Sequence, residues 1–385
     1  MSTVLPIRSD QATPPPGMAL PPRRATPIQI WAGIGGAWVV VMILLWGSSL
    51  VRGRLTPNHI GADAMPGWMN WTLTGAQLVY WAGALTALYL LTWKPYRRDG
   101  VISFDGALVI GFFTMWATSD SWATYLRPLY IYNSGAFNLG CPQCQLPGAL
   151  GSHWSTNYVE PIGLLGLYAG GLTAGVLVAC ALMRRVQARW PRMGKIGLAV
   201  AMLPAMVVFD MLFEIPMMAA GWWSYANAIP GWTLFEGHYY QYPLYEGFFM
   251  YAMWCGWSMI RHFRNDRGET VIERGLEGMR VGKGRKSLLR TLAVIGMINT
   301  IAVVCYHLPL QFVTIHTADF PQDVLSRPYF LHGECGPGTD QACAGTGIPI
   351  PTTDTGAHAT PDGRLVAPGG LPIQSAPYGR TVPTG

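Results

Sequence analysis

Charge is the scarcest commodity of this chain: Asp, Glu, Lys and Arg make up only 12% of its 385 residues, against roughly 25% in a soluble domain. An ordinary soluble globular domain is thereby excluded, and half of all residues are hydrophobic. Also missing is a cleavable signal peptide, since the first apolar run is too long for an h-region and lacks an A-x-A-like end. No Gly-rich dinucleotide fingerprint is present, which removes hydride chemistry. There is no G-x-S-x-G elbow, and Ser119-Asp120-Ser121 lacks an adjacent His, so a serine hydrolase is excluded. No Glu-x-x-His occurs within the apolar runs, which argues against a carboxylate di-metal bundle. Neither a helical repeat nor the inverted duplication of transporters is visible.

What is there is a set of apolar runs near 28–51, 68–93, 101–125, 158–183, 196–220, 242–260 and 288–310, each about the 20 residues that a membrane helix needs. The expected fold is therefore all-α, a polytopic bundle of about seven transmembrane helices. Lys and Arg are retained on the cytoplasmic side. With the N-terminus inside, only Arg52, Arg54, Arg127, Arg327, Arg364 and Arg380 fall outside, leaving 20 of the 26 basic residues inside and the C-terminus outside. The net charge of +6 thus reports topology and gives no reason to expect a nucleic-acid partner. The basic segment 261–290 reads as a solvated cytoplasmic loop.

Residues 1–27, with PPPG and PP, read as a disordered leader, 28–312 as the membrane domain, and 313–385 as an exterior, mostly disordered tail. Cys141, Cys144, Cys335 and Cys343 all fall outside, where an even number suggests disulfides, with a Cys335/Cys343 loop in the tail as one of three connectivities. CPQC also fits a redox pair or half of a zinc site. Two outer loops, 126–157 and 221–241, are too long for connectors. The second and its flank crowd Trp222, Trp223, Tyr225, Trp232, Phe235, Tyr239, Tyr240, Tyr242 and Tyr245 together, more than an interfacial belt requires, and suggest a lid or cavity wall. Gly166, Gly170, Gly171 and Gly175 suit close helix packing.

The acids share a depth. Asp120 ends the third run, Glu160 begins the fourth, Asp210 and Glu214 sit in the outer half of the fifth, Glu246 begins the sixth, and His307 ends the seventh. Asp105, near an inner end, is the exception. Asp210 and Glu214, four apart, lie on one helix face, where carboxyls in hydrocarbon need a partner or a purpose. Any one of them can be a helix-dipole or packing group; together they point to a polar cavity open to the outer face. Acids so gathered cannot all ionise, and a protonated carboxyl beside an ionised one is an acid/base pair. The six are catalytic candidates that require no metal and no cofactor.

The block GWWSYANAIPGWTLFEGHYYQYPLYEG, preceded by DMLFEIP, resembles the characteristic segment of the AveC-like spirocyclase family of actinobacterial membrane proteins. The matching features are Glu214 and Pro216, Gly221 through Tyr225, Phe235 and Gly237, and Gln241 through Glu246; Tyr132 through Phe137, YNSGAF, is similar to a second family stretch. The resemblance implies a small-molecule cyclase: the family's namesake, in avermectin biosynthesis, closes a dihydroxy-ketone into a spiroketal and dehydrates it. Asn133, Tyr132, His238 and Gln241 join the aromatic residues Trp222, Trp223, Tyr225, Trp232, Phe235, Tyr239 and Tyr245 as those expected to bind substrate. The partners expected are a hydrophobic hydroxylated polyketide- or lipid-like molecule and the lipid bilayer. A membrane isoprenoid cyclase would use the same parts on a polyene, and a lipid or small-molecule transporter or an accessory membrane subunit are the readings from other classes.

Overall fold

Two glycines bring the first and last long helices into backbone contact: a Cβ on Gly35 would strike the Leu292 carbonyl, and one on Gly296 would sit 2.6 Å from the Trp31 carbonyl oxygen. Such close approach is how helices associate where no hydrophobic drive separates protein from lipid. The computed structural model describes residues 25–53, 55, 65–120, 129–139, 142, 160–225, 228–314, 321–331, 358–359 and 365–366. The leader through residue 24, most of the tail, and the expected disulfide cysteines Cys141, Cys144, Cys335 and Cys343 lie outside these residues.

Among the described residues the long helices are α1 (Pro27–Val51), α2 (67–99), α3 (Phe104–Thr118), α4 (Ile162–Arg189), α5 (Lys195–Ala219), α6 (Leu244–His262) and α7 (283–314). Local signals set their ends. Pro27 opens α1, where the Thr26 N–H donates to Gln29 Oε1 at 2.9 Å; Ser103 Oγ caps α3 by accepting from Gly106 N at 3.0 Å; Gly100, at φ 71°, closes α2. Four helices, α1, α4, α5 and α7, are long and apolar enough to cross a membrane. The third run was expected to reach 125, but α3 ends at Thr118, where Thr118 and Ser119 hydroxyls turn to Asn299 Oδ1 of α7, each at 2.8 Å. Val40, Ile43 and Leu44 on α1 and Ile196 and Leu212 on α5 face outward, as lipid-facing residues do.

Three helices contain a π-helical turn: Leu88–Trp93 in α2, Leu167–Leu172 in α4 and Val303–His307 in α7. Such turns carry an extra residue and recur at functional sites. In α4 the Gly166 and Gly170 face lies against Tyr80 and Ala84 of α2, so the π turn is braced on one side.

The segment after α6 departs from the solvated loop expected of it. Ile272 and Leu276 are fully buried, Arg264 and Thr270 form a β-bridge, and Arg290 Nε meets Glu273 Oε1 at 2.6 Å while its Nη1 donates to the Ile102 carbonyl at 3.0 Å. Here the charges hold a folded cap together instead of facing water. Arg261 likewise pairs with Asp105 at 2.7 Å, which gives that exceptional acid its partner.

At the opposite end the two long loops pair with each other. Strand β1 (Ile131–Tyr132) runs antiparallel to β2 (Trp223–Ser224), and β3 (Thr233–Leu234) to β4 (Tyr242–Pro243). Asn133 locks the junction: its Nδ2 donates to the Gly221 carbonyl at 2.7 Å and its Oδ1 accepts from Gly135 N at 2.9 Å. Two short helices, α8 (Gln322–Leu325) and α9 (Pro328–Leu331), flank this roof, and Asp323 Oδ2 accepts from Tyr239 N at 3.0 Å. Far along the tail, β5 (His358–Ala359) pairs with β6 (Leu365–Val366).

Candidate active site

Helical spacing does the first work. Asp210 and Glu214 project from one face of α5, and Glu246 projects from the first turn of α6; all three are buried. Each receives one phenol: Tyr242 donates to Asp210 Oδ2 at 2.7 Å, Tyr225 to Glu214 Oε2 at 2.8 Å, and Tyr306 to Glu246 Oε1 at 2.8 Å. One oxygen from each acid lies within 4.8 Å of the others. Buried carboxyls this close cannot all be ionised, so the group shares at least one proton. The three oxygens could also surround one cation.

A second group stands beside the first. Asp120, just past α3, lies beside the phenols of Tyr130 and Tyr168; Glu160, just before α4, lies beside Tyr132 and Tyr168. Tyr168 therefore neighbours both acids. Trp116 Nε1 donates to the Glu160 carbonyl at 3.0 Å and fixes that residue's backbone. Among the described residues no Lys or Arg is ion-paired with any of the five carboxyls; phenols take the place of cations. In the roof, burial and then the Asp120 and Glu160 carboxyls hold the Tyr130 hydroxyl well above the ordinary phenol range, and burial and then Glu214 do the same for Tyr225. Both stay protonated donors across the biological pH range.

A cavity of about 70 Å³ runs between these groups, large enough for several waters or a compact polar segment, since one water occupies about 10–15 Å³ by that measure. Asp120, Glu160, Asp210 and Glu214 line it, while Glu246 reaches it through Asp210. Its apolar wall comes from Met115, Leu167, Leu172, Phe213, Met250 and Met253. The sequence suggested an opening toward the loops, but among the described residues the cavity is roofed there: Tyr132, Trp223 and Tyr225 are 5%, 6% and 1% exposed.

The family model for AveC-like spirocyclases matches residues 97–330, well over half of the chain and all of the residues just described. The chain belongs to the AveC-like spirocyclase family. Comparisons with curated proteins and with solved structures found no match. Of the four long apolar helices, α1 precedes the AveC-like match, yet it packs along α7 through Gly35 and Gly296.

Within this AveC-like domain the candidate residues separate into groups. Asp120, Glu160, Asp210, Glu214, Tyr132, Trp223 and Tyr225 meet at the cavity. His307 does not line it; it is fully buried in the π turn of α7, and among the described residues neither ring nitrogen has a hydrogen-bond partner. Asn133 and Gln241 tie backbone: Gln241 Nε2 donates to the Tyr225 carbonyl at 2.7 Å, and its Oε1 accepts from Gly237 N at 3.1 Å. Tyr239 donates to the Ala219 carbonyl at 2.7 Å, Trp222 meets Tyr80 edge-on at 5.9 Å, and Tyr245 is half-buried off the lining. Trp232, Phe235 and His238 are exposed and away from the cavity. Sequence reasoning missed the phenols of Tyr130, Tyr168 and Tyr306 and the indole of Trp254, and took Tyr242 only as one ring of the aromatic loop, yet all five touch the cavity or its acids. For Tyr242 and Tyr306 the signal was present, since they stand four residues before and one residue before suspected groups.

Proposed function

We propose that this AveC-like protein is a membrane-embedded cyclase that closes, or dehydrates, a hydrophobic hydroxylated polyketide- or lipid-like substrate by carboxylate acid/base catalysis without a cofactor. The carrying observation is the Asp210–Glu214–Glu246 group, three phenol-bonded carboxyls with oxygens inside 4.8 Å. In such a set one carboxyl is a proton donor beside another that is a proton acceptor. The donor protonates a substrate oxygen, and the acceptor takes the proton of an attacking hydroxyl. A C–O bond forms, water departs, and the proton lost by one carboxyl is regained by its neighbour. Positive charge building on carbon faces the rings of Trp223, Tyr132 and Tyr225, whose cation–π attraction contributes roughly 0.5–2 kcal/mol each.

The same reading places seven helices across the plasma membrane with the N-terminus inside, following the bias of Lys and Arg, and the site under the outer roof. Family membership and the four long apolar helices support it. The test is a lipid-extract comparison by mass spectrometry of cells with the wild-type protein, with Glu214→Gln, and without the gene. A hydroxylated compound accumulating in the mutant and the deletion, with its cyclised or water-depleted partner lost, is the expected result. Accumulation of a polyene instead would point to an isoprenoid cyclase, and matching extracts in all three strains would remove the enzyme reading.

A further inference from the structure

The cavity's side wall differs from its roof. Leu167 and Leu172 on the π turn of α4, Phe213 on α5 and Met250 on α6 line the cavity yet remain half-exposed, and their outward neighbours Phe209 and Leu212 are 40% and 72% exposed. The α4 π turn is braced by its glycines on α2, on the other side, so toward α5 it presents side chains. A partly exposed wall of Leu, Phe and Met at the depth of the apolar helices suits a lipid-dissolved molecule, whereas the described roof residues Tyr132, Trp223 and Tyr225 are buried.

Two buried polar atoms of cavity-lining residues have no hydrogen-bond partner among the described residues: Asp120 Oδ2, an acceptor, and Trp254 Nε1, a donor. Buried polar atoms are ordinarily paired. A ligand that satisfies both must bring an acceptor oxygen for the indole and a hydroxyl for the carboxylate.

Resting on the cyclase reading, we propose that the substrate enters sideways from the bilayer between α4 and α5, leaves its apolar segment in the gap between Leu172 and Phe213, and is positioned by an oxygen that accepts from Trp254 Nε1. Trp254 is then a specificity residue that selects oxygenated over purely hydrocarbon chains. The experiment uses full-length protein in lipid nanodiscs and two photoreactive probes, a C16 keto-alcohol and a C16 alkane, each with a diazirine and an alkyne on the chain. Cross-links are mapped by mass spectrometry, with unlabelled C16 keto-alcohol as competitor. The keto-alcohol is expected to label the peptides of Leu167, Leu172, Phe213 or Met250, competitively. Trp254→Phe should weaken competition by about 3- to 10-fold, the value of one hydrogen bond, and leave alkane labelling unchanged. Leu172→Trp, filling the gap, should abolish keto-alcohol labelling at an unchanged melting temperature.

Labelling confined to the roof loops overturns the doorway. Equal competition in wild type and Trp254→Phe, or labelling by both probes that the competitor does not reduce, overturns the indole contact. Glu214→Gln separates the two readings: it should bind the probe like wild type, so a failed turnover test beside successful labelling removes the cyclase and keeps the doorway.

Discussion

Glu214→Gln is the sharpest perturbation available because it changes so little else. Glutamine has the same length, and its amide oxygen can still accept the Tyr225 phenol that now donates to Glu214 at 2.8 Å, so the wall and roof stay in place. Only the capacity to hold and release a proton is lost. A positioned acid or base contributes about 10²–10⁴-fold, or about 2.7–5.4 kcal/mol of barrier at about 1.36 kcal/mol per decade. Asp210→Asn should cost a similar amount, since its amide can still accept from Tyr242. Because Asp210, Glu214 and Glu246 exchange protons within one group, the double variant should be no slower than the slower single one, a non-additivity expected of residues acting as a unit. The assay is conversion of the precursor fraction extracted from deletion cells, by purified protein in nanodiscs, with folding checked by melting temperature. A folded Glu214→Gln protein that runs within about threefold of wild type, below any acid/base contribution, refutes the mechanism. So does a double variant whose loss is the product of the two single losses.

Arg290→Ala should strand the buried Glu273 carboxylate, now 2.6 Å from Nε, and lower stability by about 3–5 kcal/mol in thermal melts; Arg290→Met with Glu273→Gln should recover most of it. Gly35→Leu should destroy the α1–α7 contact and yield aggregated protein on size exclusion, whereas Gly36→Ala, with nothing within 4 Å of its added carbon, should behave as wild type. Dialysis against EDTA should leave turnover intact; loss of rate restored by Mg²⁺ would mean that Asp210, Glu214 and Glu246 hold a cation and that the cofactor-free mechanism is wrong. In a background without native cysteines, an impermeant thiol reagent added to intact cells should modify Glu236→Cys and spare Asp266→Cys, and the reverse pattern would invert the topology.

The helices were legible because apolar run length is a local property: each of the seven runs contains one long helix, although α2 and α4 continue past their runs into the basic segments that follow and α3 stops short where Asn299 intervenes. The acids were legible for a related reason. A carboxyl in an apolar run is conspicuous on its own, and Asp210 with Glu214 is conspicuous as a pair. The phenols were not, because a tyrosine in a membrane helix looks like an interfacial anchor until its partner is known, and Tyr306 is 60 residues from Glu246. The cap after α6 was misread for the opposite reason: its charges looked solvated, and only the Glu273–Arg290 pair, closed over α1 and Ile102, shows what they are for.

The closed roof changes what the acid cluster means. Carboxyls at a common outer depth suggested a polar cavity open to the outer face, and in that arrangement water would compete with any hydroxyl nucleophile of the substrate. The paired loops bury Tyr132, Trp223 and Tyr225 over the cavity instead, and the described lining residues that remain partly exposed are on the helices. Excluding bulk water strengthens each phenol–carboxyl bond and, in a reaction that expels water, keeps the reverse hydration from competing. The roof and the acids are thus one device, and the conspicuous aromatic loop contributes chiefly by shutting the cavity: its exposed rings Trp232 and Phe235 stand away from the lining, whereas the backbone ties of Asn133 and Gln241 hold the lid in register.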